Sequence, residues 1–238
     1  MTDVKFVRGA LELRKEKYPV RNFLSELQML LFFLCVGIVA PSFVPFERGD
    51  GTSFLVDSEE VVVTTLVAGR SNGFTADGLP REASVEDVVG LAYQQEKREL
   101  YFTQRNNLLR KVDVGTGFTT TIAGREDSAG LVDGVGPVVR FSQPRELDWI
   151  TAAEDVLYIC DQLNGVIRRA NISNGNATVT TLGDPGISGS VDGLLQNSGF
   201  LLPIGINIDT EGQFAYVYQL NRVRRIDIPA EERNKHSQ

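Results

Sequence analysis

The sequence predicts an all-β chain, a β-propeller segment of about three four-stranded blades preceded by one N-terminal transmembrane helix. Two observations carry the repeat and a third the helix. A stretch ending in Asp-Gly recurs three times at one long period, the runs between the copies are short and β-branched, and one uncharged apolar run stands near the N-terminus.

The chain has 238 residues, about two-fifths apolar and about a quarter charged, an ordinary globular composition with room for one large domain or two small ones. Its 23 glycines suit a fold with many tight turns. The formal net charge of −7 disfavours a generic phosphate-binding surface, because nucleic-acid affinity rests largely on Lys and Arg, so no nucleic-acid partner is expected. The two cysteines, Cys35 and Cys160, sit in unlike contexts and do not suggest a disulfide framework.

Residues 1–26 form a basic N-terminal segment expected on the cytoplasmic side. Residues 27–46, LQMLLFFLCVGIVAPSFVPF, carry no charge. Twenty helical residues span roughly 30 Å, the thickness of a hydrocarbon core, so the run reads as a signal anchor, with Pro41 and Pro45 ending the helix near the far interface. A cleaved signal peptide or a buried helix are the competing readings. Lys5, Arg8, Arg14, Lys15, Lys17 and Arg21 precede the run, and Arg48 comes after it among Glu47 and Asp50. This bias places the C-terminal part of the chain on the lumenal or extracellular side. Two N-glycosylation sequons, at Asn171 and Asn176, fall in the same part, in a turn-rich stretch.

After a linker at 47–60, residues 61–67 read as a strand, VVVTTLV. They open the first copy of the repeat, VTTLVAGRSNGFTADG (63–78). The second copy is TTTIAGREDSAGLVDG (119–134) and the third VTTLGDPGISGSVDG (179–193). The Asp-Gly pairs are Asp77-Gly78, Asp133-Gly134 and Asp192-Gly193, spaced 56 and 59 residues apart. Between them VVGLAY, PRELDW and PIGINI share one position, LYFTQ, LYICDQ and AYVYQ the next, and LLRKVD, VIRRAN and RVRRID a third. Correlated landmarks at a fixed period mean stacked repeats. Runs of four to seven residues rich in Val, Ile, Tyr, Phe and Thr mean strands. The first blade is expected at 88–93, 99–103, 108–113 and 119–123. The second is expected at 145–150, 156–160, 166–171 and 178–182. A short helical turn is expected at 81–87.

On these residues the chain resembles the NHL-repeat family of β-propellers over 61–228. That family's unit runs as a proline-led strand, a YVAD-like strand, an N-H-x-I-R strand and a VTTLAG outer strand. LYICDQLNGVIRRANI (157–172) matches best. The resemblance implies a ring of about six blades, within the four to eight usual for propellers. It also implies a His that bonds structurally; Asn107, Gly165 and Asn221 stand at its positions, and the family's Asp survives as Asp161. The third unit has inner strands at 204–209, 214–219 and 222–227 but no outer strand, while 61–67 is an outer strand with no blade before it. The two deficits match, in a ring of more blades or in a homodimer of two three-blade halves.

Chemistry is sparse. His236, in the polar tail 229–238, is the one histidine, so a His-based metal site or a Ser-His-Asp triad in the repeat region is excluded. No catalytic, metal or cofactor-binding residue is assigned. Asp77, Asp133 and Asp192 could suggest calcium, but Asp-Gly more simply makes a turn in which Gly supplies positive φ. The pairs Arg110-Lys111, Arg168-Arg169 and Arg224-Arg225 could suggest RNA. The acidic balance favours instead one buried and one solvated residue in each. Cys160 reads as a buried thiol, and Trp149 and Tyr158 as core aromatics. The expected function is a non-catalytic protein- or ligand-binding module with an unidentified protein partner. The alternatives are a lyase- or hydrolase-type propeller enzyme and a soluble RNA- or protein-binding scaffold.

Overall fold

The computed structural model describes residues 5–7, 10–12, 43–47, 53–57, 63–68, 75–150, 155–173, 175–187 and 189–233. The chain divides into two compact units, Met1–Leu66 and Val67–Gln238.

The first unit contains a sheet that the repeat pattern does not predict. Strands β1 (Lys5–Val7), β2 (Ala10–Glu12), β3 (Phe43–Glu47) and β4 (Ser53–Asp57) pair antiparallel in the order β1-β2-β4-β3. The expected helix over 27–46 is therefore corrected at its end, because 43–46 belong to β3; residues 27–42 and Cys35 lie outside the described residues. Phe43, Val44 and Phe46 favour the pleated surface, and Pro45 bars a continuing helix. No helix among the described residues is long and apolar enough to cross a membrane. The linker expected at 47–60 contains β4. Residues 63–65 have no regular structure and 66–67 form a bend, so the strand expected at 61–67 is not formed there.

The second unit is a succession of three antiparallel sheets. The first sheet runs β5 (Val88–Gln94), β6 (Glu99–Gln104), β7 (Leu108–Asp113), β8 (Thr119–Gly124). The second runs β10 (Pro144–Trp149), β11 (Val156–Asp161), β12 (Val166–Ser173), β13 (Asn176–Leu182), with the two-residue β9 (Gly134–Val135) along the outer edge of β13. The third has three strands among the described residues, β14 (Pro203–Ile208), β15 (Phe214–Gln219) and β16 (Arg222–Asp227), before the four-residue helix α1 (Ala230–Arg233). At 81–87 the chain makes a turn closed by Glu82 and Ala83 N–H donating to the Leu79 carbonyl, and Ser84 then bridges back to Ala76; no helix forms.

Each inner strand carries a register shift near its start, between Val88 and Gly90, Pro144 and Leu147, and Pro203 and Gly205. A bulge sharpens twist, and the strand's outer edge tolerates proline because no N–H is required there. Inner strands approach closely: a Cβ on Gly90 would lie 2.7 Å from the Arg145 carbonyl oxygen and 2.8 Å from Glu146 Cα. Only glycine permits that approach.

Period-two alternation divides the strands between two cores. Ala92 and Tyr101 of the first sheet pack with Leu147, Trp149, Leu157 and Ile159 of the second, and the Tyr101 and Trp149 rings meet edge to face at 4.9 Å. From the other face of the second sheet, Tyr158, Cys160 and Ile167 pack with Ile206, Ile208, Ala215 and Val217 of the third. Trp149 and Tyr158 are thus core residues. The second sheet buries one face against the first sheet and the other against the third, which is why no single sheet is a complete folding unit.

Candidate functional site

The recurring Asp-Gly pairs do not sit at hairpin tips. The first two form a lateral edge segment that clips the outer strand of the next sheet. Gly78 exchanges two backbone hydrogen bonds with Thr119, at 3.0 and 2.8 Å. Gly134 pairs with Val179 in the same position. Their φ values of 136° and 148° are open to glycine, and Gly193 has 152°.

The carboxylate completes the clip. Asp77 accepts from Arg110 Nη2 at 2.8 Å, from Thr121 N–H at 2.9 Å and from Thr121 Oγ1 at 2.8 Å. Asp133 accepts from Arg168 Nη2 at 2.9 Å, from Thr181 N–H at 3.0 Å and from Thr181 Oγ1 at 2.7 Å. Asp192 meets Arg224 at 2.9 Å in the same way, but among the described residues the third sheet has no outer strand to supply a threonine. Its side chain is 88% exposed, against 43% and 47% for Asp77 and Asp133.

The first arginine of each basic pair is the other half of the clip. Arg110 and Arg168 are fully buried. Arg110 donates from Nη1 to the Ser84 carbonyl and to Gln104 Oε1, both at 2.7 Å, and from Nη2 to the Ala76 carbonyl. Arg168 donates from Nη1 to the Arg140 carbonyl and Asp161, both at 2.8 Å, and from Nη2 to the Val132 carbonyl. Their guanidinium planes lie over Phe102 and Phe141, and that of Arg224 over Phe200. Planar, delocalised charge that can both stack and fork is why arginine occupies these positions. The second residue of each pair points elsewhere: Lys111 pairs with Glu99, and the exposed Arg225 with Asp227.

Asp161 also accepts from Ser142 N–H at 2.7 Å and from Asn164 Nδ2 at 2.8 Å. Burial pushes its carboxyl above the ordinary range against the pull of these donors and Arg168. Asn107 accepts from Gln143 N–H at 2.9 Å, tying the first sheet's β6–β7 turn to the start of β10. Gly165, with φ 64°, occupies the equivalent turn of the second sheet, where a Cβ would meet the Phe200 carbonyl at 2.8 Å. Cys160 is wholly buried, and burial raises its thiol well above the usual value, so no nucleophilic thiolate is available there. Among the described residues no group of three or more His, Cys, Asp or Glu could hold a metal ion.

A polar cleft of about 620 Å³ opens between the first and second sheets. Glu99, Tyr101 and Lys111 line it from one side; Arg169, Asn171, Thr178 and Thr180 line it from the other, with Lys97 and Asp155 at its rim. Lys97 pairs with Asp155, Lys111 pairs with Glu99, and Tyr101 donates its hydroxyl to Glu99 at 2.5 Å. Burial first, then Glu99, raises the Tyr101 phenol, which stays protonated as a donor. The sequon at Asn171 is thus half buried in β12 at this cleft, while Asn176 is exposed at the start of β13. The cleft was not legible from the repeat, because Lys97 and Asp155 recur in no other unit. The clip was signalled: its Asp and Arg lie 33, 35 and 32 residues apart in the three units.

No family model matches this sequence. No curated protein matches it either. Among solved structures it is similar to a protein of unknown function from Bacteroides thetaiotaomicron VPI-5482, with a TM-score of 0.53 and 16% identity over 77% of this chain and 44% of that one. It is also similar to an auxiliary nutrient binding protein from the same organism, with a TM-score of 0.46 and 23% identity over 53% of this chain and 33% of that one. The chain therefore spans between a third and less than half the length of these structures. At such identities the likeness is one of fold, an all-β chain of consecutive antiparallel sheets.

Proposed function

We propose that Val67–Arg233 is an NHL-type propeller segment acting as a non-catalytic module that binds a protein or a small polar ligand. The observation that carries this reading is the structural engagement of the repeated ionisable groups in the first two sheets. Asp77 and Asp133 each accept three hydrogen bonds, and Arg110 and Arg168 each donate four. Groups so engaged hold strands together. What remains accessible between sheets is the cleft, with hydroxyls, an amide and charges of both signs, the lining of a site that orients a polar ligand.

A thermal-shift screen of the full chain against neutral and charged saccharides, amino acids and nucleosides tests this reading. A ligand at a hundred times its Kd stabilises by about 2.7 kcal/mol. Thr180→Arg, which fills the cleft from an exposed strand position, should abolish the shift. Stabilisation that survives Thr180→Arg, or chemical conversion of the ligand, would overturn the reading.

A further inference from the structure

Because the sheets repeat, each position in the second sheet shows what the same position needs in the first and third. Leu147 and Trp149 of β10 are 4% and 8% exposed, packed against the preceding sheet. Their counterparts in β5, Leu91 and Tyr93, are 60% and 50% exposed. Tyr158 of β11 is 2% exposed, packed against the next sheet. Its counterpart in β15, Tyr216, is 42% exposed, beside Tyr218 at 43% and Val223 at 73%. Among the described residues the first sheet thus lacks a predecessor for one apolar face, and the third lacks a successor for the other.

The outer edge shows a matching pair of deficits. In the first sheet Thr121, Thr120 and Thr119 stand opposite Arg110, Lys111 and Val112. In the second, Thr181, Thr180 and Val179 stand opposite Arg168, Arg169 and Ala170. In the third, Arg224, Arg225 and Ile226 have no described strand on that side, and Asp192 lacks its threonine. The missing residues have a counterpart in this chain: Val63-Thr64-Thr65 repeats Val179-Thr180-Thr181 and lies exposed outside any sheet. In the observed order, outer strand β8 precedes the Asp133-Gly134 clip and the second sheet. Val63–Thr65 likewise precedes the Asp77-Gly78 clip and the first sheet.

We infer that two copies of this chain close head to tail. The Tyr216, Tyr218 and Val223 face of each copy packs on the Leu91 and Tyr93 face of the other, and Val63–Thr65 of each becomes the outer strand of the other's third sheet. Thr65 then stands opposite Arg224 and donates its N–H and hydroxyl to Asp192. Val63 stands opposite Ile226 and is buried as Val179 is. The open outer edge of the third sheet and both apolar faces are covered in each copy by one two-fold arrangement, which closes on itself and does not propagate. This inference rests on the propeller reading but not on any ligand for the cleft.

Sedimentation of the full chain in detergent at micromolar concentration should give a dimer. Leu91→Glu and Tyr216→Lys, both at exposed positions and so compatible with folding, should each yield monomer. Mixing the two variants should restore a heterodimer, because one of its two interfaces is wild type and the other pairs opposite charges. Thr65→Val removes the hydroxyl bond at both interfaces and should weaken dimerisation about a hundredfold, the effect of losing two hydrogen bonds to charged groups. A wild-type monomer or open-ended polymer would overturn the inference, as would variants that remain dimeric or a mixture that stays monomeric. Cleft occupancy is read separately by thermal shift, so failure of one reading is distinct from failure of the other.

Discussion

Replacing Arg168 with Met and, separately, Arg110 with Met compares two buried clips that differ in one partner. Each substitution strands two backbone carbonyls and releases one half-exposed carboxylate, Asp133 or Asp77. Those losses are equivalent, and the exposed ion pairs contribute at most about 1 kcal/mol. The remaining partner is Asp161 for Arg168 and the neutral Gln104 for Arg110, and both are fully buried. Removing one member of a buried ion pair costs about 3–5 kcal/mol, because the other charge is left uncompensated. Removing a hydrogen bond to a buried neutral amide costs about 1–3 kcal/mol. Arg168→Met should therefore lose about 2 kcal/mol more than Arg110→Met, a difference of about 1 M in urea midpoint at a slope of about 2 kcal/mol/M. Trp149 is the chain's single tryptophan and lies in the core between these sheets, so its fluorescence reports the transition. Adding Asp161→Asn to Arg168→Met should recover part of the loss. An equal or larger loss for Arg110→Met, or no recovery in the double variant, would refute the assignment of the cost to the buried carboxylate.

Other consequences are directly measurable. Asp148 accepts from Trp149 N–H and Ile208 N–H, yet burial raises its carboxyl above the ordinary value of 3.8. The native state therefore binds its proton more tightly than the unfolded chain does. Its stability contribution is full below about pH 3.8 and declines as pH rises through the raised value. Wild type should lose stability relative to Asp148→Asn over that rise in urea titrations; a relative gain would contradict it. Gly90→Ala, which places a Cβ against the backbone of β10, should cost about 1–3 kcal/mol or more, whereas Gly175→Ala, with nothing within 4 Å, should lose only about 1 kcal/mol to its φ of 81°. Peptide mapping after iodoacetamide treatment of the native protein should find Cys160 unmodified, and denaturation should expose it; rapid native labelling would mean that the core opens.

The sequence by itself determined the repeat, its strands and its turns. Val, Ile, Tyr and Thr in period-two runs between Gly, Asn and Asp impose local backbone preferences that need no distant partner, and the inner strands of all three sheets formed where these runs lie. The role of the first arginine in each basic pair was partly legible, since an Asp, an Arg and a Thr recur together. Their common spacing signalled a contact, and the tertiary structure decided its form, an edge segment clipped onto an outer strand. The tertiary structure also decided that Val63–Thr65, for all its likeness to β13, stands outside any sheet, since a strand forms only where an edge accepts its hydrogen bonds. Apolar pattern alone could not separate a membrane run from a strand at 43–46, because Phe and Val suit both and pairing with β4 is a tertiary contact. The polar cleft likewise exists only once two sheets stack, because its walls come from both of them.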